Sequence, residues 1–234
     1  MHPKRVLLKL SGEAFAGTSG SGVDQARLLF VAEQIYAAAQ KDVQIAIVVG
    51  GGNFLRGATL TDGVISRTTA DHMGMMATIL NALALSDALN KVRQETAIFS
   101  AVAVQGVAQA FDYRQAIHRL QEGKVVICAG GTGNPFVTTD SAASLRAVEL
   151  QADVLLKATK VDGVYDKDPH KHDDAKRYDR LSFKQVLQEE LKVMDLAAFC
   201  QCRDYNVPIR VFDVFKPKAL LGVLLGAQEG PLIS

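Results

Sequence analysis

The sequence has little net charge, few cysteines, few prolines and no long hydrophobic run, and each scarcity excludes something. Lys plus Arg number 26 against 25 Asp plus Glu, a formal net charge of +1. No block of one sign builds a face for polyanions, so nucleic acid is not an expected partner. The three cysteines, Cys128, Cys200 and Cys202, are an odd number with no Cys-x-x-Cys spacing and no nearby pair of histidines to complete a zinc site. They read as buried thiols in a reducing compartment, the cytoplasm. Six prolines in a chain that is 48% hydrophobic leave no room for long disordered tails. The apolar stretch from Ala219 to Ala227 is far short of the roughly 20 residues of a membrane span. Near the N-terminus Lys9 interrupts the run Val6-Leu7-Leu8, so no signal-peptide core follows. The expectation is a chain neither exported nor held in a membrane.

What is present is alternation. Short segments rich in Val, Ile and Leu (Arg5 to Leu10, Gln44 to Val49, Thr96 to Val102, Lys124 to Ala129, Asp153 to Lys157 and Pro208 to Asp213) read as strands buried on both faces. Helical patterns lie between them, over Asp24 to Gln40, Thr68 to Lys91, Asp112 to Gln121, Thr139 to Leu150, Ser182 to Leu191, Asp195 to Asn206 and Lys216 to Leu225. The fold class expected is α/β, an open and mostly parallel sheet with helices on both faces. In such sheets ligands bind outside the carboxyl ends of the strands. No repeat or linker interrupts residues 1–234, so they read as a single domain. The long irregular stretch Thr159 to Arg180 begins directly after a strand and carries Asp162, Asp166, Asp168, Asp173 and Asp174, which favours a functional loop.

Glycine opens three of the loops that follow strands: Lys9-Leu10-Ser11-Gly12, Gly50-Gly51-Gly52-Asn53-Phe54-Leu55-Arg56-Gly57, and Gly130-Gly131-Thr132-Gly133-Asn134-Pro135-Phe136-Val137-Thr138-Thr139-Asp140. Glycine lets backbone N–H groups approach an anion, and a helix N-terminus adds partial positive charge, so three such loops point to a polyphosphate. Each has a plainer reading beside it. Glycines make turns without any ligand; Lys9 either snorkels or holds a phosphate; Arg56 is either a solvated charge or a phosphate contact; Asp140 is a helix cap, a catalytic group, or both. The P-loop motif is absent, and Gly131 to Phe136 lacks the last glycine of the dinucleotide fingerprint, so the two common nucleotide folds are disfavoured.

Taken with Arg67-Thr68-Thr69-Ala70-Asp71-His72-Met73-Gly74-Met75 and Lys157-Ala158-Thr159-Lys160-Val161-Asp162-Gly163-Val164-Tyr165-Asp166, these motifs resemble bacterial UMP kinases of the amino acid kinase superfamily, in family order from Lys4 to about Leu225. The resemblance implies reversible phosphoryl transfer from ATP to UMP, giving ADP and UDP with Mg²⁺, in the cytoplasm, on the route to pyrimidine nucleotides. It implies a homohexamer, with GTP activation and UTP inhibition as regulatory expectations. Residues 1–150 would form the UMP lobe and 151–234 the ATP lobe. Lys9, Leu10, Ser11, Gly12, Gly52 and Arg56 would meet the ATP phosphates, and Thr159, Tyr165 and Asp168 its nucleoside. Gly51, Asp71, Thr132, Gly133, Asn134, Pro135, Phe136, Val137, Thr138 and Thr139 would hold UMP, with Asp71 on the ribose. Asp140 would organise the lysines at the reaction centre, and Lys157 or Lys160 would supply a second cation. No residue is expected to ligate the metal, which the nucleotide phosphates would carry.

That chemistry suits the residue types. Transfer between two anions needs charge neutralisation and in-line positioning rather than a nucleophile triad, and the attacking phosphate oxygen is already ionised. His72 therefore reads as structural. Ser86 and Asn90 stand where an Arg and a His of related enzymes serve GTP, which argues against activation here, and Val137 replaces a common aromatic. Two other readings compete. A kinase of a carboxylate or carbamate acceptor would share the ATP half but lack the Gly131 to Thr139 block, and a nucleotide sensor without turnover would have no use for Lys9 and Asp140.

Overall fold

Strand residues alternate between two hydrophobic cores, and this alternation fixes the layers of the molecule. The computed structural model describes residues 3–18, 20–55, 64–167, 171–172, 174–191, 193–227 and 229–234. On β1 (Arg5–Leu10) and β2 (Gln44–Val49), Val6, Leu8, Leu10, Ile45, Ile47 and Val49 face one core. That core is closed by α1 (Gln25–Ala39), α2 (Arg67–Lys91) and α7 (Ala219–Leu224). Leu7, Ala46 and Val48 face the other, beneath α3 (Tyr113–Gln121), α4 (Thr139–Glu149), α5 (Phe183–Gln188) and α6 (Leu196–Asp204). Covering both faces is what permits the near-continuous apolar strands read from the sequence.

The remaining strands are β3 (Thr96–Ser100), β4 (Gln109–Ala110), β5 (Val125–Ala129), β6 (Val154–Thr159), β7 (Arg180–Leu181), β8 (Ile209–Asp213) and β9 (Leu232–Ile233). The described residues form one sheet in the order β4-β3-β5-β2-β1-β6-β8-β9-β7. Every pairing is parallel except β8 with β9, which is antiparallel. After β1 the chain builds outward through β2 and then returns to lay β6 against β1's other edge. The C-terminal ends of β1 and β6 thus flank a point where strand order reverses, where doubly wound sheets open a crevice.

Several boundaries differ from the sequence expectation. β3 ends at Ser100 rather than Val102, where the Ser100 hydroxyl accepts from the Val102 N–H at 3.2 Å and turns the chain. β6 runs on to Thr159, paired with Asp213. α5 stops at Gln188 and α7 starts only at Ala219, after Lys218 in a left-handed conformation at φ 63°. The two-residue strands β4, β7 and β9 were not anticipated. Asp24, Ser66, Asp112, Thr138, Ser182 and Asp195 cap helices with their side chains, which fixes where those helices begin.

Candidate active site

At the ends of β1 and β6, Lys9 and Lys157 are register partners in the parallel ladder. Side chains of a strand alternate, so both point to the face that α4 covers. The N-terminus of that helix delivers Asp140 between them: Lys9 Nζ lies 2.6 Å from Oδ1 and Lys157 Nζ 2.8 Å from Oδ2. Lys157 also donates to the Val193 carbonyl at 2.5 Å. Lys9 is only 8% exposed. Burial pushes the Asp140 carboxyl up, but the charges of Lys9 and Lys157 and their hydrogen bonds outweigh it and hold the group below the ordinary carboxylate value. Burial moves Lys157 the opposite way from its charge partner, and its ammonium is held below the ordinary lysine value despite Asp140. Asp140 is not the cap of α4. That role belongs to Thr138, whose hydroxyl accepts from the N–H groups of Asp140 at 3.1 Å and Ser141 at 3.3 Å.

The glycine loops are pinned around this cluster by α2. Asn81, wholly buried in the helix, exchanges hydrogen bonds with Asn53 at 2.7 and 3.0 Å and donates to the Gly50 carbonyl at 2.7 Å. Three residues earlier, Thr78 accepts from the Gly130 N–H at 2.7 Å. One helix therefore sets the positions of two loops. Glycine is required at Gly12, where a Cβ would come within 2.4 Å of Asn53 and 2.8 Å of the Gly52 nitrogen. Gly52, by contrast, faces open space, where a phosphate could approach its N–H.

Two recesses flank the lysines on the β6 side. One, about 330 Å³, is lined by Lys9, Ser11, Lys157 and Lys160. The other, about 610 Å³, is lined by Lys157, Thr159, Gly163, Tyr165 and Leu191 among others. On the β5 side lies the exposed loop from Thr132 to Thr138. Phe136 adopts φ 65° there, and its N–H donates to Asp71 Oδ2 at 2.8 Å. The Arg67 Nε donates to both oxygens of Asp71 at 2.9 and 3.0 Å, and its guanidinium lies 5.7 Å from the Phe136 ring centroid. Burial is the largest single influence on the Asp71 carboxyl and raises it; the Phe136 N–H and Arg67 together more than reverse this and leave it below its usual value.

A family model described as the amino acid kinase family matches residues 4–213. The chain belongs to the amino acid kinase family. It is 56% identical to the uridylate kinase of Coxiella burnetii over 230 residues, 98% of this chain and 95% of that protein. It is 52% identical to the uridylate kinase of Aeromonas salmonicida over 98% of this chain and 94% of the relative. The solved UMP kinase structure from Bacillus anthracis superposes with a TM-score of 0.96 at 37% identity, covering 99% of this chain and 96% of the other. That from Ureaplasma parvum gives 0.94 at 35%, covering both chains fully. The fold is thereby that of the amino acid kinase family and not a P-loop fold.

The expected site residues fall into groups. Lys9, Asp140 and Lys157 meet directly. Lys160 does not join them; it pairs with Glu13 at 2.9 Å on the rim of the smaller recess. The side chain of Leu10 is buried in the core, so only its backbone is available to a ligand. Ser11 accepts from the Glu13 N–H at 3.3 Å and starts a short 3-10 turn. Gly51 packs against α2, where a Cβ would meet Ala77 and the Gly74 carbonyl at 2.8 Å. Arg56 and Asp168 lie outside the described residues. His72 is exposed on α2. Cys128 and Cys202 are buried as expected, their thiols pushed up to about 12 by burial, whereas Cys200 is only half-buried on α6.

Three residues escaped the sequence reading. Asp195 caps α6, accepting from the Ala198 N–H at 2.8 Å, and also accepts from the hydroxyls of Thr138 and Ser141, tying α6 to the start of α4. Its position before an apolar helical segment signals a cap; the second contact has no local signal. Asn53 and Asn81 were missed too, although an amide inside the apolar run Ile79-Leu80-Asn81-Ala82-Leu83 is a visible anomaly.

Proposed function

We propose that this chain transfers the γ-phosphoryl group of ATP to the phosphate of UMP, giving ADP and UDP. The observation that carries this reading is the Lys9–Asp140–Lys157 cluster at the strand-order reversal, with glycine loops on both sides. A phosphate oxygen of UMP attacks the γ-phosphorus while the bond to the β,γ-bridging oxygen breaks. Negative charge spreads over the transferred group, and two ammonium groups fixed by one carboxylate are already aimed at it. Lys157 rather than Lys160 is the second cation, because it shares Asp140 with Lys9. The larger β6-side recess, with Thr159 and Tyr165, receives the nucleoside of ATP. The Gly52 loop and Arg56 meet its phosphates, and the loop from Thr132 to Thr139 with Gly51 and Asp71 receives UMP. On this reading residues 1–150 form the acceptor side and 151–234 the donor side of one continuous sheet.

Mg²⁺ would be carried by the nucleotide phosphates and would supply charge neutralisation there. Both oxygens of Asp140 are occupied by lysines, and among the described residues no group of three or more His, Cys, Asp and Glu is arranged to hold a metal ion. The protein's part is to orient the phosphates. No described helix is long and apolar enough to cross a membrane. Met76, Leu80 and Leu83 form an exposed apolar stripe on α2, which supports self-association of the chain, with a homohexamer as the expected assembly. Ser86 and Asn90 line a shallow recess whose cations, Arg119 and Lys124, are paired with Glu122 and Glu95, which supports weak rather than strong GTP activation.

The test is ADP release from Mg·ATP with UMP, CMP, dUMP, glutamate and carbamate as acceptors. UDP formation with UMP at a kcat/KM well above every other acceptor is expected. Turnover with a carboxylate or carbamate instead, or none with any acceptor, would overturn the assignment.

A further inference from the structure

We propose that Arg177, Arg180 and Arg210 form a binding site for a small phosphate-bearing molecule on the face of β6 and β8 opposite the reaction centre. The three arginines line a cavity of about 460 Å³ whose apolar wall includes Val154, Leu156 and Leu232. Alternation along β8 separates it from the reaction centre: Val211 lines the donor recess on one face, and Arg210 points to the other.

The charges of this cavity are unbalanced. Arg210 is half-buried and, among the described residues, donates only to backbone carbonyls, those of Ala227 at 3.1 Å and Glu229 at 3.5 Å. Neither Arg210 nor Arg180 has a carboxylate partner among the described residues. The nearby Glu229 carboxylate is taken by Lys216 at 2.7 and 2.8 Å. Asp179, the acid among the lining residues, is 91% exposed and 4.0 Å from Arg177. A half-buried cation without a counter-charge is unfavourable, and burial together with the charge of Arg180 holds Arg210 below its ordinary pKa. Planar guanidinium forks match phosphate oxygens, and the apolar wall leaves space for an organic body beyond the phosphate itself.

The site reaches the donor recess through Arg177. Its stem lies over Gly163, where a Cβ would come within 2.8 Å of Arg177 Cδ, and its Nη1 donates to Asp162 Oδ2 at 2.9 Å. Asp162 Oδ1 in turn accepts from the Tyr165 hydroxyl at 2.6 Å, and Tyr165 and Arg177 are paired across a β-bridge. An anion that draws Arg177 away loosens Tyr165; this link, unlike the site itself, rests on reading the Tyr165 recess as the ATP site.

Calorimetric titration of the full chain with inorganic pyrophosphate, in saturating UMP and a non-hydrolysable ATP analogue, tests the site with the reaction centre filled. The same titration on Lys9→Ala gives an independent arm should the nucleotides not bind. Binding should persist in both, and Arg180→Gln should weaken it about tenfold or more, the loss of one charge-assisted contact. Arg210→Gln should act likewise. Arg180→Gln should leave phosphoryl transfer without pyrophosphate unchanged. Absence of binding in both arms, or equal binding by Arg180→Gln and the unaltered chain, overturns the proposal. A pyrophosphate-dependent rise in the KM for ATP that disappears in Arg180→Gln supports the link to Tyr165, and no such rise removes the link while leaving the site.

Discussion

Two carboxylates of this molecule are each held by cations, yet they occupy different worlds. Asp140 lies between two lysines anchored on adjacent central strands, with side chains 11–15% exposed. Asp71, itself only 16% exposed, is held by Arg67 from one turn earlier on its own helix, a side chain that is 51% exposed, and by the N–H of a surface loop. A buried ion pair is held by the whole fold, and removing one partner costs roughly 3–5 kcal/mol. An exposed i,i+4 pair contributes only about 0.3–0.5 kcal/mol. Chemistry that tolerates no misplacement belongs on the first kind of support, and recognition of a substrate that must enter and leave belongs on the second.

The sharpest break in this comparison is Lys9→Ala. It should lower kcat by about two orders of magnitude or more while circular dichroism stays native, because the lost cation serves charge that develops in the transition state. A change confined to the KM for ATP would make Lys9 a ground-state contact.

Asp140→Asn should follow, with kcat down about tenfold or more and a lower Tm, since two buried ammonium groups are left facing each other. Its pH dependence has a defined sign. The Asp140 carboxyl is held below its unfolded value, so its contribution is complete above that value and is lost as pH falls through the lowered one. Acid unfolding curves of Asp140→Asn should therefore flatten relative to the unaltered chain. At the alkaline end the sign is the same: Lys157 is held below its unfolded value, so the unfolded chain binds more protons between the two values and stability again rises with pH there.

Asp71→Ala should be milder and directed at the acceptor. The KM for UMP should rise with little change in the KM for ATP, because the contact lies away from the breaking bond. If Asp71 also accepts from the ribose, a preference for UMP over dUMP of about 10- to 150-fold should vanish with it, the worth of a hydrogen bond to a charged group. If it only positions Phe136, UMP and dUMP should suffer equally. The smallest effect is expected from GTP, titrated at subsaturating ATP: weak activation at most, since Ser86 is spent on a 2.6 Å hydrogen bond to Thr96. Many-fold activation would show that another surface binds it.

Legibility in the sequence followed the same divide. β1 and β2 were readable to the residue because five consecutive positions of each are buried alternately on the two faces, and Lys9 stood out as a charge inside such a run. β4, β7 and β9 were not readable, since two residues carry no periodicity and their pairing depends on distant partners. Asp140 was readable as a candidate, but which lysine met it was not. Lys157 and Lys160 are three residues apart, and only the ladder with β1 distinguishes the inward position from the rim. Asp195 illustrates the remainder: its cap is local, while its grip on Thr138 and Ser141 arises only when α4 and α6 are brought side by side.

The pairing of Lys9 with Lys157 across two parallel strands makes this enzyme its own inspector of assembly. Sliding β1 by one residue against β6 would turn Lys9 into the apolar layer beneath α1 and α2 and send Leu8 or Leu10 toward Asp140. Such a molecule would carry an unmatched charge in its core and an empty place in its reaction centre at once. Recovery of turnover after refolding therefore reads out strand register directly, which a far-ultraviolet spectrum, blind to a one-residue shift, does not.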